Sequence, residues 1–233
     1  MSRKLHPEAH RSGRAAWLRA AVLGSDDAIV STASLMIGVA ATSAPSSSVL
    51  LAGVAGLVAG SMSMAVGEYV SVSSQRDAEH ADIAREKLEL ANQPHGELSE
   101  LAGIYERRGL DHELAMKVAV QLSAHDPLGA HMRDELGIEP DSLSQPLQAA
   151  IVSALSFGVF ALIPIVALLL ASGALRILAM GASSLIGLAL LGALGARLGG
   201  APVLPAALRV TLGGTLAMGV TALVGRLFGV VAG

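Results

Sequence analysis

The chain has 233 residues, with 16 Lys and Arg against 19 Asp and Glu, and it has no cysteine. Without cysteine there is no disulfide, thiolate metal site or cysteine nucleophile, so a bound transition metal must use oxygen, imidazole or thioether ligands. The basic residues are too few and too dispersed for the positive stripe of a nucleic-acid-binding protein.

Charge is confined to one part of the chain. Fifteen of the 19 acidic residues lie between Gln75 and Gln145, and none follows Leu147. A soluble domain spreads charged side chains over its whole surface. The blocks that flank this segment are instead rich in Ala, Leu, Val and Gly, as lipid-embedded helices are. The composition therefore predicts a polytopic membrane protein with a charged insert.

Five apolar segments are long enough to cross a bilayer, for which about 20 residues are needed. They are residues 16–41, 49–73, 147–172, 175–198 and 203–231. The first contains Asp26 and Asp27 and has no small-x-small cleavage site, so we interpret it as a retained helix and not a signal peptide. Pro164 predicts a kink in the third segment.

The orientation follows from the positions of Lys and Arg, which favour the cytosolic side. Five basic residues precede or open the first span, namely Arg3, Lys4, Arg11, Arg14 and Arg19. Three more, Arg76, Arg85 and Lys87, follow the second span, while Arg176 stands against the rule. We therefore predict a cytosolic N-terminus and a cytosolic insert, in a bacterial inner membrane.

The charged segment is predicted to be a cytosolic helical bundle. Its helical segments are residues 74–90, which continue the second span, 96–108, 111–124 and 126–136. Gly109 and Asp111 supply a stop and a start signal, and Asp126-Pro127 opens the last helix. We expect an all-α protein divided into residues 1–74 with spans one and two, a metal-binding domain at 75–145, and residues 146–233 with spans three to five.

Two side chains in the membrane have the chemistry of an ion site. Asp26 lies about ten residues into the first span, and Met64 lies at a similar depth on the antiparallel second span. A membrane carboxylate is a functional candidate by default, and Fe²⁺ accepts both carboxylate and thioether ligands. Glu68 lies one turn from Met64. The structural alternatives are a helix-bridging Asp, a Met packed in the core and an interfacial Glu.

The insert carries three groups of potential metal ligands. Helical spacing places the members of each pair on one face. The groups are Glu86 with Glu89, Glu97 with Glu100, and His131 with Met132 and Glu135. Glu-x-x-Glu on a helix is more often a solvated face than a metal site, although three groups within 50 residues favour metal binding.

Two of these segments resemble the vacuolar iron transporter family. GSDDAIVSTASLMIG, from Gly24, resembles the G-x-x-D-G opening of the family's first helix, and GSMSMAVGEYVSVSSQ, from Gly60, resembles its second-helix signature. The resemblance covers essentially the whole chain. It implies a homodimer that exchanges Fe²⁺, and often Mn²⁺, for protons, with no organic cofactor and with the pathway near the dimer interface.

The resemblance also implies roles for individual residues. Asp26 takes the place of the first-span carboxylate and Met64 that of the second-span methionine. The insert ligands are Glu86, Glu89, Glu97, Glu100, Met132 and Glu135, with His131 where the pattern can have a second Met. Two positions depart from the pattern. Asp27 stands where a Gly usually follows the Asp, and Gly56 where some members have Glu, so Asp27 is a candidate for a relocated second carboxylate.

We therefore expect a proton-coupled exporter of Fe²⁺ or Mn²⁺ from the cytosol, and not an enzyme. The alternatives are a membrane-anchored metal sensor and a di-iron ferroxidase. The ferroxidase would need Glu-x-x-His pairs, and none of the seven histidines has a Glu three residues before it.

Overall fold

The computed structural model describes residues 15–139, 143–173 and 175–232, with side chains described between residues 20 and 229. Regular structure in these ranges is entirely helical, so the all-α prediction is confirmed. The helices are α1 (Ala15–Ala40), α2 (Ser46–Asn92), α3 (Pro94–Arg107), α4 (His112–His125), α5 (Pro127–Asp134), α6 (Pro146–Leu170), α7 (Leu175–Gly199) and α8 (Val203–Ala232).

Five of these helices, α1, α2, α6, α7 and α8, are long and apolar enough to span a membrane. This confirms the five predicted spans, whose ends agree to within a few residues outside the long extension of α2. Pro164 lies inside α6, which continues to Leu170. Arg3, Lys4, Arg11 and Arg14, on which the predicted orientation rests, lie outside the described residues. Arg19 lies in α1, but its side chain is not described.

The described residues form two compact units, one within residues 1–69 and 147–233 and the other within residues 70–146. In the first unit α1 is the central helix. In its most apolar stretch, 50% is buried by the rest of the protein, compared with 11% in the corresponding stretches of α2 and α8. Its buried face joins one apolar core through Met36, which packs with Met180 of α7 and Met218 of α8.

Glycines let α8 approach α1 closely. A Cβ atom added at Gly225 would lie 2.0 Å from the carbonyl oxygen of Gly38, and one at Gly229 would lie 2.9 Å from the Cα atom of Thr42. Close approach of backbones through small residues is a recurrent way of packing membrane helices, where the hydrophobic effect gives no preference for helix over lipid.

The second unit contains the end of α2 and the three short helices. Its apolar core is formed by Leu101, Ala102, Ile104, Ala115, Ala119 and Ala130. The predicted helix signals are confirmed. Gly109 follows α3 with φ +102°, the Asp111 carboxylate accepts a hydrogen bond from the Leu114 amide at 2.9 Å, and the Asp126 carboxylate accepts one from the Gly129 amide at 2.9 Å. The last helix ends at Asp134 and not at residue 136.

Candidate metal centre and membrane groove

Three carboxylates and one imidazole meet in the second unit. Glu86 comes from α2, Glu97 from the first turn of α3, His131 from α5, and Glu135 from the residue that caps α5. Each side chain offers one ligand atom, and these atoms all lie within 4.8 Å of one another. We call these four residues the Glu₃His cluster.

The imidazole of His131 is at the centre of the cluster. Its Nδ1 atom lies 2.8 Å from Glu135 Oε2, 3.0 Å from Glu86 Oε1 and 3.8 Å from Glu97 Oε2. His131 is fully buried, and Glu86 and Glu97 are only 2% and 7% exposed. Charged groups are rarely buried without a partner of opposite sign or a metal ion. Three carboxylates around one imidazole leave an excess of negative charge, which suits a divalent cation.

The electrostatics of the cluster show the same excess. Burial raises the pKa of Glu86 to about 7, and the charges of Glu135 and Glu97 act in the same direction, opposed by His131. Burial also raises the pKa of Glu97, with Glu100 adding to the effect. Glu86 Oε1 is buried without a hydrogen-bond partner in the described structure, although it lies near Nδ1 of the imidazole. A bound cation would relieve both the repulsion and the unpaired oxygen.

The cluster takes one member of each predicted Glu pair and leaves the other outside. Glu89 is half-buried and Glu100 is exposed, and neither belongs to the group of four. Glu97 lies one turn before the fully buried Leu101, and so on the buried face of α3. Glu100 likewise lies one turn before a buried residue, Ile104, so apolar spacing in the sequence does not distinguish the two glutamates.

Met132 is buried beside His131 along α5. Adjacent helix positions point about 100° apart, and the cluster defined by imidazole and carboxylate atoms does not include the thioether. The assignment of Met132, Glu89 and Glu100 as metal ligands stays a prediction.

Asp134 ties α5, which carries His131, to α3. Tyr105 Oη donates a hydrogen bond of 2.6 Å to Asp134 Oδ2, and Arg108 pairs with Oδ1 of the same carboxylate. Burial works to raise the pKa of Asp134, but the hydrogen bonds from Tyr105 and Arg108 outweigh it and hold the pKa below its usual range. Sequence reasoning missed this clamp because its partners are 26 and 29 positions apart.

The substitution Tyr105→Phe is expected to loosen α5 without touching the cluster. It removes one hydrogen bond to a charged acceptor, so the free energy of local opening should fall by about 1–2 kcal/mol at pH 7. Amides of α5 should then exchange with deuterium about tenfold faster in the intact protein. The depressed pKa of Asp134 means that this stabilisation is present above the ordinary carboxyl pKa and is lost as pH falls through the lower folded value.

A matched control uses the other tyrosine of the chain. Tyr69→Phe, at an exposed position outside the clamp, should leave exchange in α5 unchanged. Equal exchange rates in wild type and Tyr105→Phe would show that the clamp does not hold α5.

The first unit contains a groove of about 260 Å³ between α1, α2 and α6. Asp27 and Met64 both line it, so the structure brings a carboxylate and a thioether to the same cavity. The other lining residues are Ser31, Thr32, Leu35, Gly56, Gly60, Ser63 and Phe157. Met64 also packs against the small core around Phe157 and Ala161.

Two predicted pathway residues lie apart from this lining. Asp26 is half-buried, and its Oδ1 atom is buried with no hydrogen-bond partner in the described structure, but it does not line the groove. Glu68 is half-buried one turn beyond Met64 and does not line it either.

The pattern quoted for the first span also places its carboxylate at Asp27. Counted from Gly24, G-x-x-D-G has its Asp at residue 27 and its final Gly at Ala28. On this count Asp27 would be the counterpart of the first-span carboxylate, with Asp26 as an added one and Ala28 as the departure from Gly. The choice between Asp26 and Asp27 stays a prediction.

The comparisons with known proteins cover almost the whole chain. The sequence model of the VIT family matches residues 18–226. The "Vacuolar iron transporter" of Acanthamoeba castellanii is 49% identical over 225 residues, which cover 94% of this chain and 82% of that protein. The "Vacuolar iron transporter homolog 5" of Oryza sativa subsp. japonica is 38% identical, with 93% and 83% covered. The "Vacuolar iron transporter homolog 1" of Arabidopsis thaliana is 38% identical, with 94% and 86% covered.

Proposed function

We propose that this chain, which belongs to the VIT family, is a multi-pass membrane transporter that moves Fe²⁺, with Mn²⁺ as a second ion, out of the cytosol in exchange for protons. The observation that carries the proposal is the Glu₃His cluster, a buried and over-negative ligand set. Relatives named as iron transporters support metal ions as the cargo and support a transporter over an enzyme.

The Glu₃His cluster is the proposed capture site. Its ligands are carboxylate oxygens and an imidazole nitrogen, which suit Fe²⁺ and Mn²⁺. The neighbouring charges of Glu89 and Glu100 add to the negative potential, since both raise the pKa of Glu97. A negative surface of this kind increases the local concentration of cations and speeds their binding.

The groove lined by Asp27 and Met64 is the proposed position of the ion within the membrane. A carboxylate among apolar helices is costly, and a function that needs it explains its presence. A carboxylate must lose its proton to bind a metal. Metal entry at Asp27 therefore releases a proton and metal departure readmits one, which couples the two flows.

The proposal includes a homodimer with the N-terminus and the insert in the cytosol of the cell. The weakly buried α2 leaves a surface for the proposed dimer, because its apolar window is only 11% buried within one chain and can contact either lipid or a second copy. A single cysteine introduced at Leu51, which is exposed on α2, should give a cross-linked dimer in membranes. Recovery of monomer only would contradict this part.

The two alternatives have less support. Nothing in the described residues supplies the Glu-x-x-His pairs of a di-iron oxidase. A sensor that uses its helices only as an anchor has no use for a groove with a carboxylate and a thioether.

Purified protein in proteoliposomes provides the direct test. Fe²⁺, Mn²⁺, Co²⁺ and Zn²⁺ are supplied on one side, and metal and proton movements are followed together with fluorescent reporters. We expect Fe²⁺ uptake with proton movement in the opposite direction. Metal uptake without proton movement would overturn the coupling, and no uptake of any ion would overturn transport.

Metal affinity of the Glu₃His cluster should depend on pH. Glu86 has a pKa of about 7 in the folded protein, so below pH 7 a metal ion must displace its proton. We expect apparent affinity to fall about tenfold per unit between pH 7 and pH 5.5 and to level off above pH 7. Calorimetry with Mn²⁺ on the full-length protein in detergent measures this, and Glu86→Gln should show a flatter profile. An affinity that is constant from pH 5.5 to 7 would contradict it.

A further inference from the structure

His131 supplies the nitrogen atom of the Glu₃His cluster, and the other three ligands are carboxylate oxygens. The ring is 0% exposed, and Nδ1 faces the carboxylates while Nε2 is buried with no hydrogen-bond partner in the described structure. The imidazole thus offers the cluster one defined nitrogen, and its full burial leaves it no room to turn towards solvent.

We propose that His131 is the residue that sets metal selectivity in the insert, so that the cluster binds Zn²⁺ and Co²⁺ more tightly than Fe²⁺, and Mn²⁺ most weakly. The inference deepens the proposed function, because it requires the cluster to bind metal. It makes iron and not manganese the favoured ion of the pair, and it makes Zn²⁺ and Co²⁺ competitors.

Ligand type is the first argument. Divalent ions bind mixed nitrogen and oxygen sites in the order Mn²⁺, Fe²⁺, Co²⁺, with Zn²⁺ above Fe²⁺. Oxygen ligands alone suit Mn²⁺, Mg²⁺ and Ca²⁺, whereas imidazole suits zinc and iron. The single nitrogen ligand is therefore the feature of the cluster that gives these ions different affinities.

The spacing of the ligand atoms is the second argument. Zn²⁺ holds nitrogen and oxygen ligands at about 2.0–2.1 Å in a tetrahedron, which places neighbouring ligand atoms about 3.4 Å apart. The three distances from His131 Nδ1 to carboxylate oxygens, 2.8, 3.0 and 3.8 Å, bracket that value. All four ligand atoms also lie within 4.8 Å of one another, so the side chains are close enough to bind one small ion together.

Burial is the third argument. Mn²⁺ and Mg²⁺ favour six oxygen ligands, commonly including water. Glu86 and Glu97 are nearly inaccessible, and only the Glu135 side chain, 26% exposed, opens towards solvent. Few water molecules can complete a six-coordinate shell here, so the ion that needs them is disfavoured.

The test compares affinities for two metals within each variant. Full-length protein carrying Asp27→Asn, which removes the groove carboxylate, is titrated in detergent with Zn²⁺, Co²⁺, Mn²⁺ and, without oxygen, Fe²⁺. In this background we expect affinity to rise from Mn²⁺ through Fe²⁺ to Co²⁺ and Zn²⁺. Adding His131→Gln, which replaces the nitrogen by an amide, should lower the ratio of Zn²⁺ to Mn²⁺ affinity by about tenfold or more.

The ratio separates ligand chemistry from folding. His112→Gln, at an exposed histidine of α4, is the matched control and should leave the ratio unchanged. If His131→Gln lowers both affinities equally, the imidazole is structural and the inference fails. If Mn²⁺ binds as tightly as Zn²⁺ with His131 intact, it also fails. Because the readout is binding, a protein that binds in the expected order but moves no ion would overturn transport alone.

Discussion

Asp27→Asn is expected to reduce Fe²⁺ flux into proteoliposomes on the order of a hundredfold or more. The substitution keeps the size of the side chain and removes the carboxylate charge from the groove that Met64 also lines. Loss of an outer partner of a metal ligand commonly costs 10–100-fold in affinity or activity, and loss of a charged ligand should cost at least as much. Proton movement driven by metal should fall in parallel.

The neighbouring residue provides the control. Asp26→Asn makes the same chemical change one position along α1, at a side chain that does not line the groove. We expect it to retain most of the metal flux. The reverse pattern, with flux lost in Asp26→Asn and kept in Asp27→Asn, would restore the register first taken from the resemblance and would refute the proposed groove.

Glu97→Gln is expected to weaken metal binding by the insert about a hundredfold, whereas Glu100→Gln should weaken it by only a few fold. The two residues are one helical turn apart, but Glu97 lies in the Glu₃His cluster and Glu100 is exposed outside it. Glu100 contributes through its charge, which solvent and salt screen. Calorimetry on full-length protein at low and moderate salt measures both affinities.

Varying the salt concentration distinguishes a direct metal ligand from a neighbouring charge. The small effect of Glu100→Gln should shrink as ionic strength rises, while the effect of Glu97→Gln should persist. Equal losses in the two variants would mean that the Glu-x-x-Glu pair binds metal as a unit, as the sequence pattern alone suggested. Dimer formation, followed by size-exclusion chromatography, should be unchanged in both variants.

The spans and the helices of the insert could be predicted from sequence because their causes are local. A run of apolar residues predicts a membrane helix wherever it is found, and the caps at Asp111 and Asp126 depend on residues within three positions. The extension of α2 past residue 73 was predictable for the same reason, since the next 17 residues contain no Gly or Pro.

The composition of the cluster was only partly predictable, because it depends on which helix faces pack together. Periodicity identified Glu86, Glu97, His131 and Glu135 as candidates but treated Glu89 and Glu100 as their equals. The separation comes from long-range packing, which brings together Glu86 of α2, Glu97 of α3, His131 of α5 and Glu135 at the end of α5. The same limit explains why the Asp134 clamp was missed.

The groove shows a different limit. The depth of a residue in the membrane can be estimated from its position along the helix, at 1.5 Å per residue. The direction in which its side chain points cannot be estimated in this way, because a shift of one residue rotates the side chain by about 100°. Asp26 and Asp27 have nearly the same depth and different neighbours. In the structure, the packing of α1 against α2 and α6 places Asp27, and not Asp26, in the lining of the groove.

The glycine contacts between α1 and α8 have a consequence for motion. Gly225 approaches the backbone of α1 at Gly38, and Gly229 approaches Thr42 just beyond the end of α1, so we expect these two closely packed helices to move together. The apolar part of α2 is only 11% buried, so packing within the chain restricts the movement of α2 less. In the proposed transport cycle we therefore expect Asp27 to stay fixed and Met64 to move past it, with the thioether as the mobile ligand and the carboxylate as the stationary one.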